Sequence, residues 1–310
     1  MKQLLTRYKS EIADIVIQQL AGKYSQALTK YSYLEQGADY FLQLTSRPEY
    51  VGYSKEIMLL QNIAKQLAPF SQAALNVIDL GPGNGEKALT LLSFLNHSNT
   101  TYLAIDKSPH MLAIAKENQI FLNELKKFYL LNDFSNNKNW YLQLNKKRSN
   151  TTLFLLLGNT VANEIDMEGM LANLKLIIAN SNANNKYLLL GIELFSNNMK
   201  QILLEYQNES NQYLSVIPLH TLGINLSVGG LAIVFNQGLQ RIEEKFIFNQ
   251  HGSFIVNNKL IEYQKNDELL LSVTWKPTLN TLTSMFKKIG YSINNILLKD
   301  NQALILLETY

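Results

Sequence analysis

Apolar residues near the start of the chain recur at three-to-four spacing, with Leu4, Leu5, Tyr8, Ile12, Ile15, Val16 and Leu20 in register. Such a stripe predicts an amphipathic helix. A second helix is expected over residues 57–67, and the aromatic-rich stretch between them, residues 31–50, has no clean period. From residue 76 the pattern changes. Short apolar runs at 76–80, 102–105, 128–131, 153–157 and 187–192 predict strands, and helical segments at 86–95, from Ser108 onward, and at 168–178 alternate with them. Ser108 suits an N-cap and Pro109 a first helical position. Alternating strands and helices define an α/β chain with a doubly wound, mostly parallel sheet covered on both faces. Residues 200–250 read as a helix and an irregular stretch containing Gly223, Gly229 and Gly230. Strand-like runs resume at 269–274 and 303–307. The expected organisation is a helical part at 1–70, a Rossmann-like sheet from 71–198 and 271–310, and an insertion at 199–270.

Composition narrows the chemistry. The chain has 310 residues, of which 46% are hydrophobic and 17% charged, so it is apolar enough to fold around a core. Lys and Arg number 28 against 25 Asp and Glu, a net charge of +3. That balance gives no electrostatic reason to expect nucleic acid or a membrane as partner. The basic knots at Lys126–Lys127 and at Lys146, Lys147 and Arg148 read as solvated charge, and the Asn-rich segments 136–139 and 180–185 as polar loops. Absence of cysteine excludes thiolate metal sites and a cysteine nucleophile. Four scattered histidines give no paired-imidazole metal site, so no metal is expected. Arg7, Lys9, Glu11 and Asp14 interrupt the N-terminal segment where a signal peptide would be apolar. No run reaches the ~18–20 apolar residues of a membrane span. A cytoplasmic location is expected.

The strongest local feature is Leu80-Gly-Pro-Gly-Asn-Gly-Glu-Lys87, which follows a strand and opens a helix. Glycine there admits positive φ and close approach of backbone to a ligand. Glu86 stands where a dinucleotide fingerprint needs glycine, and Glu86-Lys87-Ala88 breaks a phosphate-binding Gly-Lys-Ser/Thr pattern. The spacing of Gly81, Gly83 and Gly85, with Asp79 just before it, resembles motif I of S-adenosylmethionine-dependent methyltransferases. Asp106, closing the second strand, suits a ribose. Asp133 and Phe134 close the third, where an acid and an aromatic can flank adenine; a turn or capping role for Asp133 stays open. Asn163 reads either as a group that orients a polar substrate or as a cap for the helix that follows. Tyr33 and Tyr50 on their own read as core aromatics.

In this order the motifs are similar to those of the histidine-specific S-adenosylmethionine-dependent methyltransferases, which make trimethylhistidine on the way to ergothioneine. Fungal dimethylallyltryptophan N-methyltransferases belong to the same group. The resemblance rests on Tyr33-(x)3-Gly37, Thr45-Ser-Arg-Pro-Glu-Tyr50, the glycine loop through Lys87, Asp106, Asp133-Phe134 and Gly158-Asn-Thr-Val-Ala-Asn163. It implies a Rossmann-like methyltransferase sheet with a smaller substrate or lid domain. The cofactor would be S-adenosylmethionine, leaving as S-adenosylhomocysteine. It also implies that Tyr50, Gly81, Gly83, Lys87, Asp106, Asp133 and Phe134 line the cofactor site. Tyr33 and Asn163 would hold the reacting amine and so act in catalysis. Tyr206 or Tyr213 would meet the substrate's carboxylate. Near the C-terminus the family pattern is Glu-x-Ser-x-Lys, and this chain has Ser272-Val-Thr274-Trp-Lys276. Ser272 and Thr274 thus occupy the positions that read the substrate's side chain, with serine in place of the glutamate. That exchange is expected to weaken histidine recognition. The function implied is N-methylation of the α-amine of an amino acid or a similar small molecule. The alternative is a cofactor-binding protein without small-molecule turnover that acts on or through a protein partner.

Overall fold

The computed structural model describes residues 2–24, 26–48, 50–135, 149–256 and 259–309. The polar segment 136–139, the basic knot at 146–148 and Glu49 lie outside the described residues. The chain forms two compact units. One comprises residues 50–161, 166–196 and 277–310, and the other residues 1–49, 162–165 and 197–276.

The first unit is built on β1 (Leu75–Leu80), β2 (Thr100–Asp106), β3 (Lys126–Leu131), β4 (Ser149–Leu156) and β5 (Ala183–Glu193), with β11 (Ser292–Lys299) and β12 (Gln302–Glu308) at one side. Their order is β11-β12-β5-β4-β1-β2-β3. The pairs β1–β2, β1–β4, β2–β3 and β4–β5 are parallel, while β12 runs antiparallel to β5 and to β11. Strand order reverses beside β1, so the crevice beyond the carboxyl ends of β1 and β4 is where such sheets bind ligands. Helices α3 (Val51–Leu67), α4 (Glu86–Leu92), α5 (Pro109–Asn118), α6 (Met167–Ala179) and α9 (Leu279–Ile289) belong to this unit. Central strands buried on both faces read as continuous apolar runs, and Leu153, Phe154, Leu155 and Leu156 of β4 have no exposure. Ser108 caps α5 by accepting from Met111 N. The cap of α6 is Asp166, which accepts from Gly169 N, so the capping role left open for Asn163 falls away.

The second unit holds α1 (Lys2–Leu20), α2 (Gln36–Thr45), α7 (Met199–Tyr206) and α8 (Glu209–Leu222). It also holds the strands β6 (Gly229–Asn236), β7 (Arg241–Phe248) and β10 (Glu268–Trp275), and a hairpin of β8 (Gly252–Val256) with β9 (Lys259–Tyr263). The order β10-β7-β6 is antiparallel throughout. Its core gathers Ile12 and Val16 of α1, Leu219 of α8, and Phe246, Phe248 and Leu271 of the strands. Gln19, 1% exposed, accepts from Leu270 N at 2.7 Å and donates to Leu270 O at 3.1 Å, so α1 satisfies the outer edge of β10.

Three elements depart from the sequence expectation. Residues 200–250 contain two helices and two strands where one helix and an irregular stretch were expected. Adjacent buried glutamates at 243 and 244 break the alternation of β7, and a glycine pair opens β6. The strand at 269–274 forms, but in the three-stranded sheet of the second unit. Residues 50–70, grouped by sequence with the N-terminal helices, pack in the sheet unit, because α3 lies against β11 and β12.

Candidate functional site

At the carboxyl end of β1 the backbone turns through Gly81, Gly83 and Gly85 with φ of 72°, 59° and 78°. A side chain is disfavoured at all three, which is why the sequence spaces glycines here. Gly81 N donates to Ile105 O at 2.9 Å and ties the turn to β2. A methyl group built on Gly81 would come within 3.4 Å of Thr160 and 3.5 Å of the Phe134 ring, so residues from the ends of β1, β3 and β4 converge. Tyr53 on α3 reaches the same turn, its hydroxyl 2.9 Å from Asn84 Oδ1 and 2.8 Å from Glu86 Oε2. Tyr50 stands at the N-cap of α3.

Three carboxylates close the neighbouring strands. Asp79 is buried, and burial pushes its carboxyl up to about 7, against the hydrogen bond that Tyr102 donates at 2.7 Å. Behind it runs a relay: Tyr129 donates to Gln119 Oε1, and Gln119 Nε2 donates to the Tyr102 hydroxyl and to Gly85 O. Asp106 is likewise lifted to about 7 by loss of hydration, opposed by N–H groups of Ser108 and Lys107 and reinforced by Asp133. Asp133 accepts from Ser135 N at 3.1 Å and Ser135 Oγ at 2.7 Å, a turn geometry, and lies 3.6 Å from Lys107 Nζ. Nearby, Asn132 Oδ1 and His110 Nδ1 are buried without a hydrogen-bond partner among the described residues. Gly81, Asp106, Asp133 and Phe134 are thus brought together at the ends of β1, β2 and β3.

Lys87 is used differently from the rest. Its Nζ lies 2.6 Å from Glu56 Oε2 and 4.7 Å from the centre of the Tyr53 ring. Glu56 Oε1 in turn accepts from Gly158 N at 2.9 Å. One buried carboxylate therefore joins the helix after the glycine turn to the end of β4. Gly191 makes room for it, since a methyl there would lie 1.8 Å from Glu56 Oε1. Neither Glu56 nor Tyr53 was expected from the sequence; both sit in a helix with an ordinary apolar stripe, and only tertiary packing turns them toward the loop.

In the second unit the substrate-side candidates fall into two groups. Ser272 and Thr274, two apart on β10, share one face of the strand, and Lys276 follows at the same spacing. All three are buried. Thr274 Oγ1 donates to Asn163 Oδ1 at 3.1 Å, and Lys276 Nζ donates to the Tyr206 hydroxyl at 3.1 Å. Directly across from Ser272, on β7, stands Glu244. It accepts from Asn211 Nδ2 at 2.8 Å and from Ser215 Oγ, both on α8, and from Ser272. Burial pushes its carboxyl up against these donors. Tyr33 is in edge contact with Phe41, ring centres 5.4 Å apart. A methyl on Gly37 would collide with Ser32 O, which explains the glycine four residues after Tyr33. Tyr213 stands 44% exposed, stacked on Tyr40 at 5.2 Å. Of the two candidate tyrosines, it is Tyr206 that joins the buried polar face of β10. Sequence reasoning missed Glu244, whose link to Ser272 is a strand register.

A parallel sheet with a glycine turn at its switch point, and carboxylates closing the next two strands, defines an α/β cofactor-binding protein of the methyltransferase class. The chain belongs to the family described as histidine-specific methyltransferases, SAM-dependent, whose model matches residues 12–308. A search among curated proteins found no match. Among solved structures, the chain is similar to the pyocyanin biosynthetic protein PhzM, at 11% identity and a TM-score of 0.46 over 87% of this chain and 62% of that one. DesVI of Streptomyces venezuelae gives 10% identity and 0.44 over 88% and 98%. An S-adenosylmethionine-dependent methyltransferase from Listeria monocytogenes gives 14% and 0.42 over 83% and 99%. Of the CurJ carbon methyltransferase the chain spans 48% of the length. The cofactor is S-adenosylmethionine. The residues present fit it: ribose hydroxyls and an adenine amino group are donors, and Asp106, Asp133 and the orphaned Asn132 Oδ1 are acceptors. Among the described residues no helix is long and apolar enough to cross a membrane.

Proposed function

We propose that this methyltransferase transfers a methyl group to the α-amine of an amino acid or a similar small molecule. The observation that carries the reading is Asn163, whose amide is fixed by Thr274 within a buried polar face that also holds Lys276 and Tyr206. An ammonium with a carboxylate two bonds away is complementary to an amide oxygen and a buried cation on one strand face. Tyr50, Gly81, Gly83, Asp106, Asp133 and Phe134 would line the cofactor site. Lys87, through Glu56, would hold the glycine turn against the end of β4.

When bound, S-adenosylmethionine supplies an activated methyl on a sulfonium. The chain's work is then alignment, since an in-line displacement needs nitrogen and carbon held at roughly 3–3.5 Å. Tyr33 and Asn163 would orient the amine lone pair, and poor hydration would favour its neutral form. Neither has to act as a strong base. The test is a mass-spectrometric assay of the purified protein with S-adenosylmethionine and an equimolar mixture of amino acids, read for methylated product and for S-adenosylhomocysteine. A methylated amino acid is expected. Cofactor binding without any mass shift would refute the reading and turn attention to a protein partner.

A further inference from the structure

The glycine turn has two sides. Gly81 and Gly83 are half-buried, whereas Asn84 and Gly85 are buried. The buried side meets the C-terminal end of α5, formed by Asn118 and the C-cap residue Gln119. Asn118 Nδ2 donates to Asn84 O at 2.9 Å, and Gln119 Nε2 donates to Gly85 O at 3.2 Å. Two consecutive amides of one helix end therefore hold two consecutive carbonyls of the turn. The approach is close, since a methyl group built on Gly85 would lie 3.0 Å from Gln119 Nε2 and 3.0 Å from Ala115. Gly85 O also accepts from Leu89 N at 2.9 Å, so the same carbonyl joins the start of α4 to the end of α5.

Gln119 has no exposure, and both polar atoms of its side chain are engaged. Nε2 donates to the Tyr102 hydroxyl at 3.2 Å as well as to Gly85, and Oε1 accepts from Tyr129 at 2.9 Å. A buried amide adds little net stability over an apolar side chain of the same shape, but a fully satisfied one specifies a single arrangement. Such an anchor matters for this turn. Glycine admits the positive φ at 81, 83 and 85, yet it has no side chain to restrain the backbone and loses the most freedom on ordering. A turn that is ordered beforehand spares an arriving ligand that cost.

We propose that Gln119 and Asn118 are positioning residues for cofactor binding, holding the glycine turn from its buried side in the arrangement that receives S-adenosylmethionine. The inference rests on the placement of the cofactor along Gly81, Gly83 and Asp106 given above, and adds two residues that act on it only through the turn.

The experiment uses the full chain, as wild type, Gln119→Met, Asn118→Ala and Tyr129→Phe. Methionine keeps the volume of glutamine and removes its donors. Tyr129→Phe takes one hydrogen bond from the same amide at its oxygen and leaves the donor to the turn in place, so it controls for lost stability alone. Unfolding in denaturant is followed for each, and S-adenosylhomocysteine binding is measured by calorimetry and by surface plasmon resonance. Gln119→Met is expected to weaken the ligand about tenfold and Asn118→Ala about threefold, with Tyr129→Phe staying within about twofold of wild type. The loss should lie in the association rate, because fewer molecules hold the competent turn. Wild-type affinity in Gln119→Met, a loss confined to the dissociation rate, or an equal loss in Tyr129→Phe at equal destabilisation overturns the proposal. If Gln119→Met does not fold, Asn118→Ala, at an exposed helix end, decides, and unchanged affinity there overturns it. Asp106→Asn separates the inference from the reading beneath it. Intact affinity in that variant refutes the cofactor placement and the proposal with it, whereas a loss there beside an unchanged Gln119→Met refutes the proposal alone.

Discussion

Lys87 and Glu56 of the sheet unit meet at 2.6 Å, each closing the other's charge, whereas Glu244 of the second unit is surrounded by neutral donors alone. The first arrangement is complete as it stands and holds a backbone turn in place. The second has an acceptor to spare. Buried ion pairs add little net stability and lose much when one partner is removed. A carboxyl held by neutral donors has no cation to offset its lost hydration, so burial favours its protonated form. Within one chain, the same residue type is thus buried in two ways, against a cation in one unit and among neutral donors in the other.

The comparison is broken most severely by Glu56→Ala. That change strands the Lys87 ammonium, which is 12% exposed, and orphans Gly158 N, so a loss of about 3–5 kcal/mol is expected in denaturant unfolding. A loss below 1 kcal/mol would show that the pair does not hold the turn. Next comes pH. In the folded state the Asp79 carboxyl sits at about 7 against an ordinary value of 3.8, so the folded chain holds a proton that the unfolded chain has released. This contribution is complete below the ordinary value and lost as pH rises through about 7. Between pH 5 and 8 Asp79 alone should lower stability by roughly 2.5 kcal/mol, and Asp106, lifted to the same value, should add a similar fall. Asp79→Asn should remove its share and leave that of Asp106, about halving the slope, and an unchanged slope would assign it elsewhere.

Asp106→Asn is expected to weaken S-adenosylhomocysteine at least tenfold, roughly the value of one charged hydrogen bond. Calorimetry checks it, and intact affinity would remove Asp106 from the cofactor site. Thr274→Val takes away the donor that fixes Asn163 and should lower kcat/KM about fivefold to tenfold with unchanged cofactor affinity. An unchanged kcat/KM would remove this strand face from the substrate role. Tyr213→Ala sits at the small end: stability should stay within about 0.5 kcal/mol and KM should not move. A KM effect there larger than for Tyr206→Phe would exchange the roles of the two tyrosines.

How far the sequence revealed all this differs between the units for a physical reason. The glycine turn, Asp106 and Asp133 lie at the ends of successive strands, so local pattern alone lines them up. A parallel sheet converts order along the chain into order in space. In the second unit the pairings are Asn163 with Thr274 and Glu244 with Ser272, and nothing local marks them. Register across antiparallel strands and a turn from a distant loop bring them together. The two strands β6 and β7 were unreadable for a related reason: Glu243 and Glu244 are both buried, Glu243 by its ion pair with Arg241 at 2.7 Å, so polarity and burial part company. Glu56 and Tyr53 were hidden among the ordinary polar residues of an amphipathic helix.

The relay from Tyr129 through Gln119 to Tyr102 and Asp79 has a fixed sense, because one amide accepts at its oxygen and donates from its nitrogen. Since the same nitrogen also holds Gly85 O, the hydroxyl proton of Tyr102 is shielded for as long as the glycine turn stays closed. Its exchange with solvent is then a clock for the opening of that turn, readable by magnetic resonance in the protein alone, before any methyl group has been transferred.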